Sequence, residues 1–269
     1  MLKKADVKLL VFDLDDTLLN DQIAISLRSQ QAIRAAVEQG IKVTLATGRM
    51  YCSTVFFADL LDVNVPLITY NGAMVNERPS GKPLFHSPIK PSLAKGILQL
   101  CKERQWYIQS YCNDQLYVSE MNDYAKRYAE ITGAKPIPAG NQLYTMEQSP
   151  TKMLVVAGPN QVSEIVEEFQ TRFGDQVSIA ESKPSYLEIT NPDVNKGNAL
   201  KVVAERIAID LREVVAFGNG VNDISMLRCA GMSVAVGNAH QDVKEAACLV
   251  TGTNNEDGVA AVIERYLLS

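Results

Sequence analysis

The chain has 269 residues, enough for one large domain or two ordinary ones, and its 46% hydrophobic and 21% charged residues are an ordinary balance for a soluble globular protein. A net charge of −5 and the lack of a long basic run argue against a nucleic-acid partner, and no apolar stretch reaches the length of a membrane span. The five cysteines (Cys52, Cys101, Cys112, Cys229, Cys248) form no Cys-x-x-Cys pair and read as free thiols of a reducing cytoplasm, and two histidines, His86 and His240, are too few for a histidine-rich zinc site.

Residues 7–12, Val-Lys-Leu-Leu-Val-Phe, form an apolar run of strand length, and the stretch before it carries neither the apolar segment nor the cleavage site of a secretion leader. Ser26 is placed to cap a helix closing near Gly40, with Leu27, Ile33, Ala36 and Val37 on its apolar face. Residues 41–46 and 66–69 are further strand-like runs, so this segment reads as βαβ and predicts a parallel sheet. The turn formers Pro79-Ser80-Gly81-Lys82-Pro83 mark a change of character. From about 91 to 190 the expected order is helix, strand, strand, helix, strand, helix, strand, strand. It includes a hairpin of 106–111 with 115–120 and a helix over 122–133 that ends at Gly133. After Asn191-Pro192-Asp193 the βα alternation resumes. A helix runs from Lys196 to about 207, a strand spans 214–217, a helix 222–229, a strand 233–236 and a last helix 257–267. The outer segments, 1–84 and 191–269, read as one discontinuous parallel-sheet domain interrupted by an α+β insert at 85–190.

Asp13 and Asp15 stand just behind the first run. If the chain stays extended they point the same way, at the carboxyl end of a parallel strand, where ligands bind. Such a pair can hold a divalent cation and supply a nucleophile and a proton carrier; two solvated aspartates capping the next helix would look the same. Thr47-Gly48-Arg49 closes the run 41–46 and can offer Oγ and a backbone N–H to an anion, or be a plain turn. Lys196 opens its helix at the end where the dipole disfavours a cation, which points to a compensating anion or to a long solvated side chain. In the glycine-rich loop Gly218-Asn219-Gly220-Val221-Asn222-Asp223, the oxygens of Asn219, Asn222 and Asp223 suit magnesium, or fill turn positions and cap a helix. Asn71-Gly72 is a common turn or a substrate contact.

In their order and spacing, Asp13-Leu14-Asp15-Asp16-Thr17-Leu18, Thr47-Gly48-Arg49, Lys196-Gly197-Asn198-Ala199-Leu200 and the loop 218–227 resemble the four motifs of the haloacid dehalogenase-like phosphohydrolases, specifically the Cof-type sugar-phosphate phosphatases. The resemblance spans essentially the whole chain. It implies an α/β fold with a three-layer, Rossmann-like parallel-sheet core and an inserted α+β cap. It also implies a magnesium-dependent phosphatase of small phosphorylated metabolites, sugar phosphates in particular, working through an aspartyl-phosphate. The implied roles are a nucleophile at Asp13 and a proton donor and acceptor at Asp15. Thr47 and the backbone N–H groups of Leu14 and Gly48 would hold phosphoryl oxygens, Lys196 would stabilise charge, and Asn222 would contact phosphate or water. Magnesium is expected on Asp13, the Asp15 carbonyl, Asn219 and Asp223, and Arg49, Asn71 and Gly72 are candidate substrate contacts.

Two positions depart from the family pattern: Asp16 stands where glycine is common, and Asn219 where an aspartate usually binds the metal. A phosphomutase with the same intermediate, and a catalytically weakened phospho-ligand binder, are the alternatives to a hydrolase. Seven of the ten tyrosines and the only tryptophan, Trp106, fall in the insert, where they either face a ring-shaped substrate or pack its core.

Overall fold

Strand β1 (Leu9–Phe12) is Leu-Leu-Val-Phe, apolar and buried at every position, the pattern of a parallel strand covered on both faces. The structure, a computed structural model, describes residues 6–158, 160–183 and 185–268, without the side chains of 182 and 183. The stretch 1–5, where no leader is expected, lies outside the described residues. The chain divides into two compact units: Met1–Phe85 with Asn195–Ser269, and His86–Val194.

In the first unit β1 is followed by α1 (Leu27–Glu38), β2 (Lys42–Leu45), α2 (Tyr51–Leu60), β3 (Leu67–Thr69) and β4 (Met74–Asn76), and β5 (Pro83–His86) ends at the first residue of the second unit. Ser26 caps α1 by accepting a hydrogen bond from Ser29 N. The buried face of α1 carries Ala32, Ile33 and Ala36, whereas Leu27 is 69% and Val37 37% exposed, against the expectation that both lie on it. Leu27 is the first helical residue and sits roughly 120° around the helix from Ile33, so it turns away from the core.

The second unit is built from α3 (Pro91–Arg104), β6 (Tyr107–Cys112), β7 (Gln115–Val118), α4 (Asp123–Thr132), β8 (Pro136–Pro138), β9 (Lys152–Val156), α5 (Val162–Phe173), β10 (Ser178–Lys183) and β11 (Tyr186–Thr190). Its sheet runs β10-β11-β9-β6-β7-β8 and is antiparallel except for the β7–β8 pair. Asn113 and Asp114 make the β6–β7 turn with φ of 51° and 57°, both in the left-handed region that a two-residue hairpin turn requires. One sheet face packs Ile108, Met153, Val155 and Leu187 with Trp106 and Phe169 in an apolar core. The tyrosines pack largely on one another: Tyr107 with Tyr124, and Tyr128 with both Tyr111 and Tyr186, at centroid distances of 5.4–6.4 Å.

The chain then returns to the first unit with α6 (Lys196–Arg206), β12 (Val214–Gly218), α7 (Ile224–Cys229), β13 (Met232–Ala235), α8 (Gln241–Ala246), β14 (Leu249–Val250) and α9 (Gly258–Ile263). The core sheet has the order β14-β13-β12-β1-β2, all parallel, and a parallel bridge from Ala46 to Ile68 carries it on toward β3. Helices pair off over it, α1 with α9 and α6 with α7. This is the expected α/β architecture. The helix expected over 222–229 begins instead with a tight turn, Val221–Asp223, before α7. The helix expected over 257–267 is α9 followed by a wider turn, Glu264–Leu268.

Candidate active site

The ladder places Asp13. Its N–H donates to Phe217 O (3.0 Å), extending the β1–β12 pairing one residue beyond Phe12, and its backbone stays extended at φ −67°, ψ 154°. Asp15 is extended as well (φ −67°, ψ 126°), and Asp16 then turns left-handed (φ 59°) and ends the run. Leu14, between the two acids, is buried in the core.

Lys196 meets Asp13 from the other side of the insert. It is the first residue of α6, where Asn195 caps the helix by accepting from Asn198 N (2.8 Å). Its side chain is fully buried, and Nζ lies 2.6 Å from Asp13 Oδ1 and 2.6 Å from Asp223 Oδ1. Here is the anion that a lysine at a helix N-terminus calls for, supplied twice. Asp223 Oδ2 accepts hydrogen bonds from Asn219 N and Gly220 N, both 2.9 Å, so the carboxylate ties the loop after β12 to Lys196. A side chain on Gly218 would meet Asp223 at 2.6–2.7 Å, so only glycine lets the acid fold back this closely. Asp223, expected as a metal ligand, thus turns both oxygens to partners within the protein.

Two carboxylates share one ammonium in a buried space. Burial, and then the charge of Asp223, push the Asp13 carboxyl up to about 7, against the pull of Lys196. Burial alone would lower Lys196, yet the charges of Asp13 and Asp223 hold its ammonium well above its usual range.

Thr47 follows β2 and is fully buried; its N–H donates to Ile68 O (2.9 Å) and its Oγ1 accepts from Arg49 N (3.1 Å). The hydroxyl hydrogen has no acceptor among the described residues. The Arg49 guanidinium grips Asp15 with two hydrogen bonds, Nε to Oδ2 (2.9 Å) and Nη2 to Oδ1 (2.7 Å), and lies 5.3 Å from the Phe57 ring centre. Arg49 is only 6% exposed while the Asp15 side chain is 45% exposed, so a buried cation orients an acid that reaches solvent. Tyr70, Asn71 and Gly72 take φ of 52°, 58° and 99° in succession, a left-handed run that is costly for a tyrosine. Backbone bonds from Tyr70 N to Arg49 O (3.0 Å) and from Asn71 N to Thr47 O (2.9 Å) hold that run against the Thr47 loop.

Asn71 Oδ1 accepts from Asn222 Nδ2 (2.9 Å) on the exposed side, so these two expected contacts pair with each other. Gly48 lies close beneath Asn71, and Gly72 lies against the Asn195 carbonyl. Asn219 Oδ1 accepts from Thr17 Oγ1 (2.9 Å), a pairing the sequence reading does not contain although Thr17 lies inside the first motif. Asn238, also missed, donates to Asp16 O (2.7 Å) and fixes the kink after the acids; an asparagine after β13 gives no warning of that role.

A family model described as haloacid dehalogenase-like hydrolase matches residues 10–263. The chain belongs to the haloacid dehalogenase-like hydrolases. The 5-amino-6-(5-phospho-D-ribitylamino)uracil phosphatase YcsE of Bacillus subtilis strain 168 is 31% identical over 265 residues, covering 98% of this chain and 97% of its own. A crystal structure from Thermotoga maritima, 36% identical, covers 96% of this chain and 97% of its own with a TM-score of 0.87. The subclass IIB sugar phosphatase BT4131, 25% identical, covers 97% and 99% with a TM-score of 0.83. This chain is a phosphatase of the same family. In this phosphatase the backbone at residue 16 is left-handed, and aspartate is among the residues that tolerate it.

Proposed function

We propose that the phosphatase hydrolyses monoesters of small phosphorylated metabolites, sugar phosphates in particular, with magnesium and through an aspartyl-phosphate on Asp13. The observation that carries this reading is the buried cluster of Asp13, Lys196 and Asp223 beside an acid held by Arg49. Asp13 Oδ1 accepts from Lys196 Nζ, while Oδ2 accepts no hydrogen bond from a described residue. A hard cation fits that donor set: Asp13 Oδ2, the Asp15 main-chain carbonyl and Asn219 Oδ1 are all oxygens. Magnesium ordinarily keeps several waters beside one or two carboxylates, so it does not require the cluster of three acidic, histidine or cysteine side chains that the described residues lack. When bound, the ion supplies positive charge between an anionic nucleophile and an anionic phosphoryl group. We assign Asp223 to positioning Lys196 rather than to the metal.

In the first half-reaction an Asp13 oxygen bonds to phosphorus and the bond from phosphorus to the leaving oxygen breaks, while Asp15 gives that oxygen a proton. In the second, Asp15 takes a proton from water as the water attacks the aspartyl-phosphate, and inorganic phosphate leaves with Asp13 regenerated. The Thr47 hydroxyl, the N–H groups of Leu14 and Gly48, and Lys196 hold the phosphoryl oxygens as their charge builds. The likeness to a sugar phosphatase and to a phosphatase of a phosphorylated ribityl compound supports a phosphorylated polyol or sugar as substrate. Five free thiols support a reducing cytoplasm, and no described helix is long and apolar enough to cross a membrane.

The test is a screen of sugar and polyol phosphates with magnesium, reading free phosphate. The wild-type protein should release it and Asp13→Asn should not, since an amide cannot attack phosphorus. An isomerised sugar phosphate without free phosphate would make the protein a mutase, and turnover retained in Asp13→Asn would remove the nucleophile assignment.

A further inference from the structure

The amino ends of the core strands, away from Asp13, hold a cavity of about 230 Å³ lined by Lys42, Glu77, Arg78, Arg206 and the turn 64–66. We infer that this cavity is a second anion site, taking a small oxyanion: a phosphate or carboxylate head on a compact body. Lys42 opens β2, whose other end leads to Thr47, and Arg206 closes α6, whose first residue is Lys196. At about 1.5 Å per helical residue the cavity and the catalytic lysine lie roughly 15 Å apart along α6.

Three cations and one acid line the space. Arg206 directs Nε and Nη2 to a single oxygen of Glu77, at 2.9 and 2.6 Å, which leaves Nη1 with two N–H donors. Arg78 is anchored through Nε to Val63 O, through Nη2 to Asp59 and by a further hydrogen bond with Tyr51, with its side chain only 10% exposed, so it lends the cavity a positive charge fixed in place. Lys42 has no ion pair and no side-chain hydrogen bond among the described residues. An anion would complete this set.

Several of the groups that would repel an anion are already engaged, beginning with the Glu77 oxygen held by Arg206. The Pro66 carbonyl accepts from Thr44 Oγ1 (2.6 Å). In the last turn of α6, the carbonyls of Glu205 and Ala204 accept from Ala208 N (3.2 Å) and Ile209 N (3.0 Å). The volume lies below the roughly 300–1,000 Å³ of sites for drug-sized ligands, which sets the compact body.

Amide chemical-shift titrations of the full chain with inorganic phosphate and with citrate test this. Saturable shifts are expected at Val65, Glu77 and Ile207. Lys42→Ala and Arg206→Ala should each raise the midpoint about tenfold or more, and Lys42→Arg should restore it. Shifts at Gly48 and Gly220 should keep their midpoints in every variant. Both substituted side chains are exposed, so unmoved catalytic-site resonances certify the fold. A response to phosphate, to citrate or to both supports the site and names its head group. No saturable shift at the cavity with either probe, or midpoints indifferent to both alanine substitutions, would overturn it.

Discussion

Asn219 sets how much charge the loop after β12 offers a cation. Its Oδ1 serves Thr17 and keeps one lone pair, whereas a carboxylate there would add a negative ligand beside Asp13. Asn219→Asp should therefore lower the magnesium needed for half-maximal activity, with equal or higher turnover at saturation; a magnesium titration showing an unchanged requirement would place residue 219 outside the metal's shell. Arg49 aims Asp15, so Arg49→Ala should slow turnover about 10–100-fold on an alkyl phosphate, whose leaving oxygen needs a proton, and far less on nitrophenyl phosphate. Arg49→Lys should recover little, because an ammonium cannot grip both oxygens. Equal losses on the two substrates would mean that Arg49 serves phosphate binding instead. The meeting of Lys196 with an anion was legible from its place at a helix start. The Arg49–Asp15 and Thr17–Asn219 pairs were not, because they depend on how three loops converge. Asp223 looks like a helix cap in sequence, and only the fold shows that it faces Lys196.

Among elements, β1, β2 and β12 declare themselves by unbroken apolar runs, since strands covered on both faces have no polar side to confuse the pattern. Helix α2 does not: Met50 offers no side-chain cap, and Phe56 stands 68% exposed beside a buried Phe57. It has no counterpart in the sequence reading because such a helix carries neither a start signal nor a clean stripe. The turn after β3 and the start of α6 are locked together at Gly72, whose φ is 99° and whose added Cβ would fall 2.4 Å from Asn195 O. Gly72→Ala should cost about 2 kcal/mol or more of stability and reduce activity by shifting the cap that places Lys196. Urea unfolding and a turnover assay check both; a stable, fully active variant would show that the turn and α6 move independently.

For the molecule as a whole, Asp13 writes a pH dependence into stability. Its carboxyl rises from 3.8 to about 7 in the folded state, so the folded protein holds the proton more tightly than the unfolded chain. That contribution is complete below the unfolded value and is lost as pH climbs through about 7. In a chelator, wild-type stability should fall across this window relative to Asp13→Asn, and at pH 8 the variant should be the more stable by about 1 kcal/mol or more. Magnesium at roughly a hundredfold above its dissociation constant should return about 2.7 kcal/mol to the wild type and little to the variant. Thermal melts of both proteins against pH decide this, and parallel curves would sink it.

The order of the chain also decides when the chemistry can begin. Asp13 and its lysine lie 183 residues apart, and β12, which flanks β1 opposite β2, follows the second unit as well. A chain emerging from the ribosome therefore makes Asp13 early and leaves it without its lysine, at the tip of a strand with one neighbour missing. The second unit draws all six strands of its sheet from one unbroken stretch and can close before synthesis ends. During that interval β1 is an apolar edge, and the unpaired charge of Asp13 at its end discourages pairing with other chains. The proposed nucleophile is thus made long before the lysine that partners it, and the site is complete only once Lys196 and Asp223 have been made.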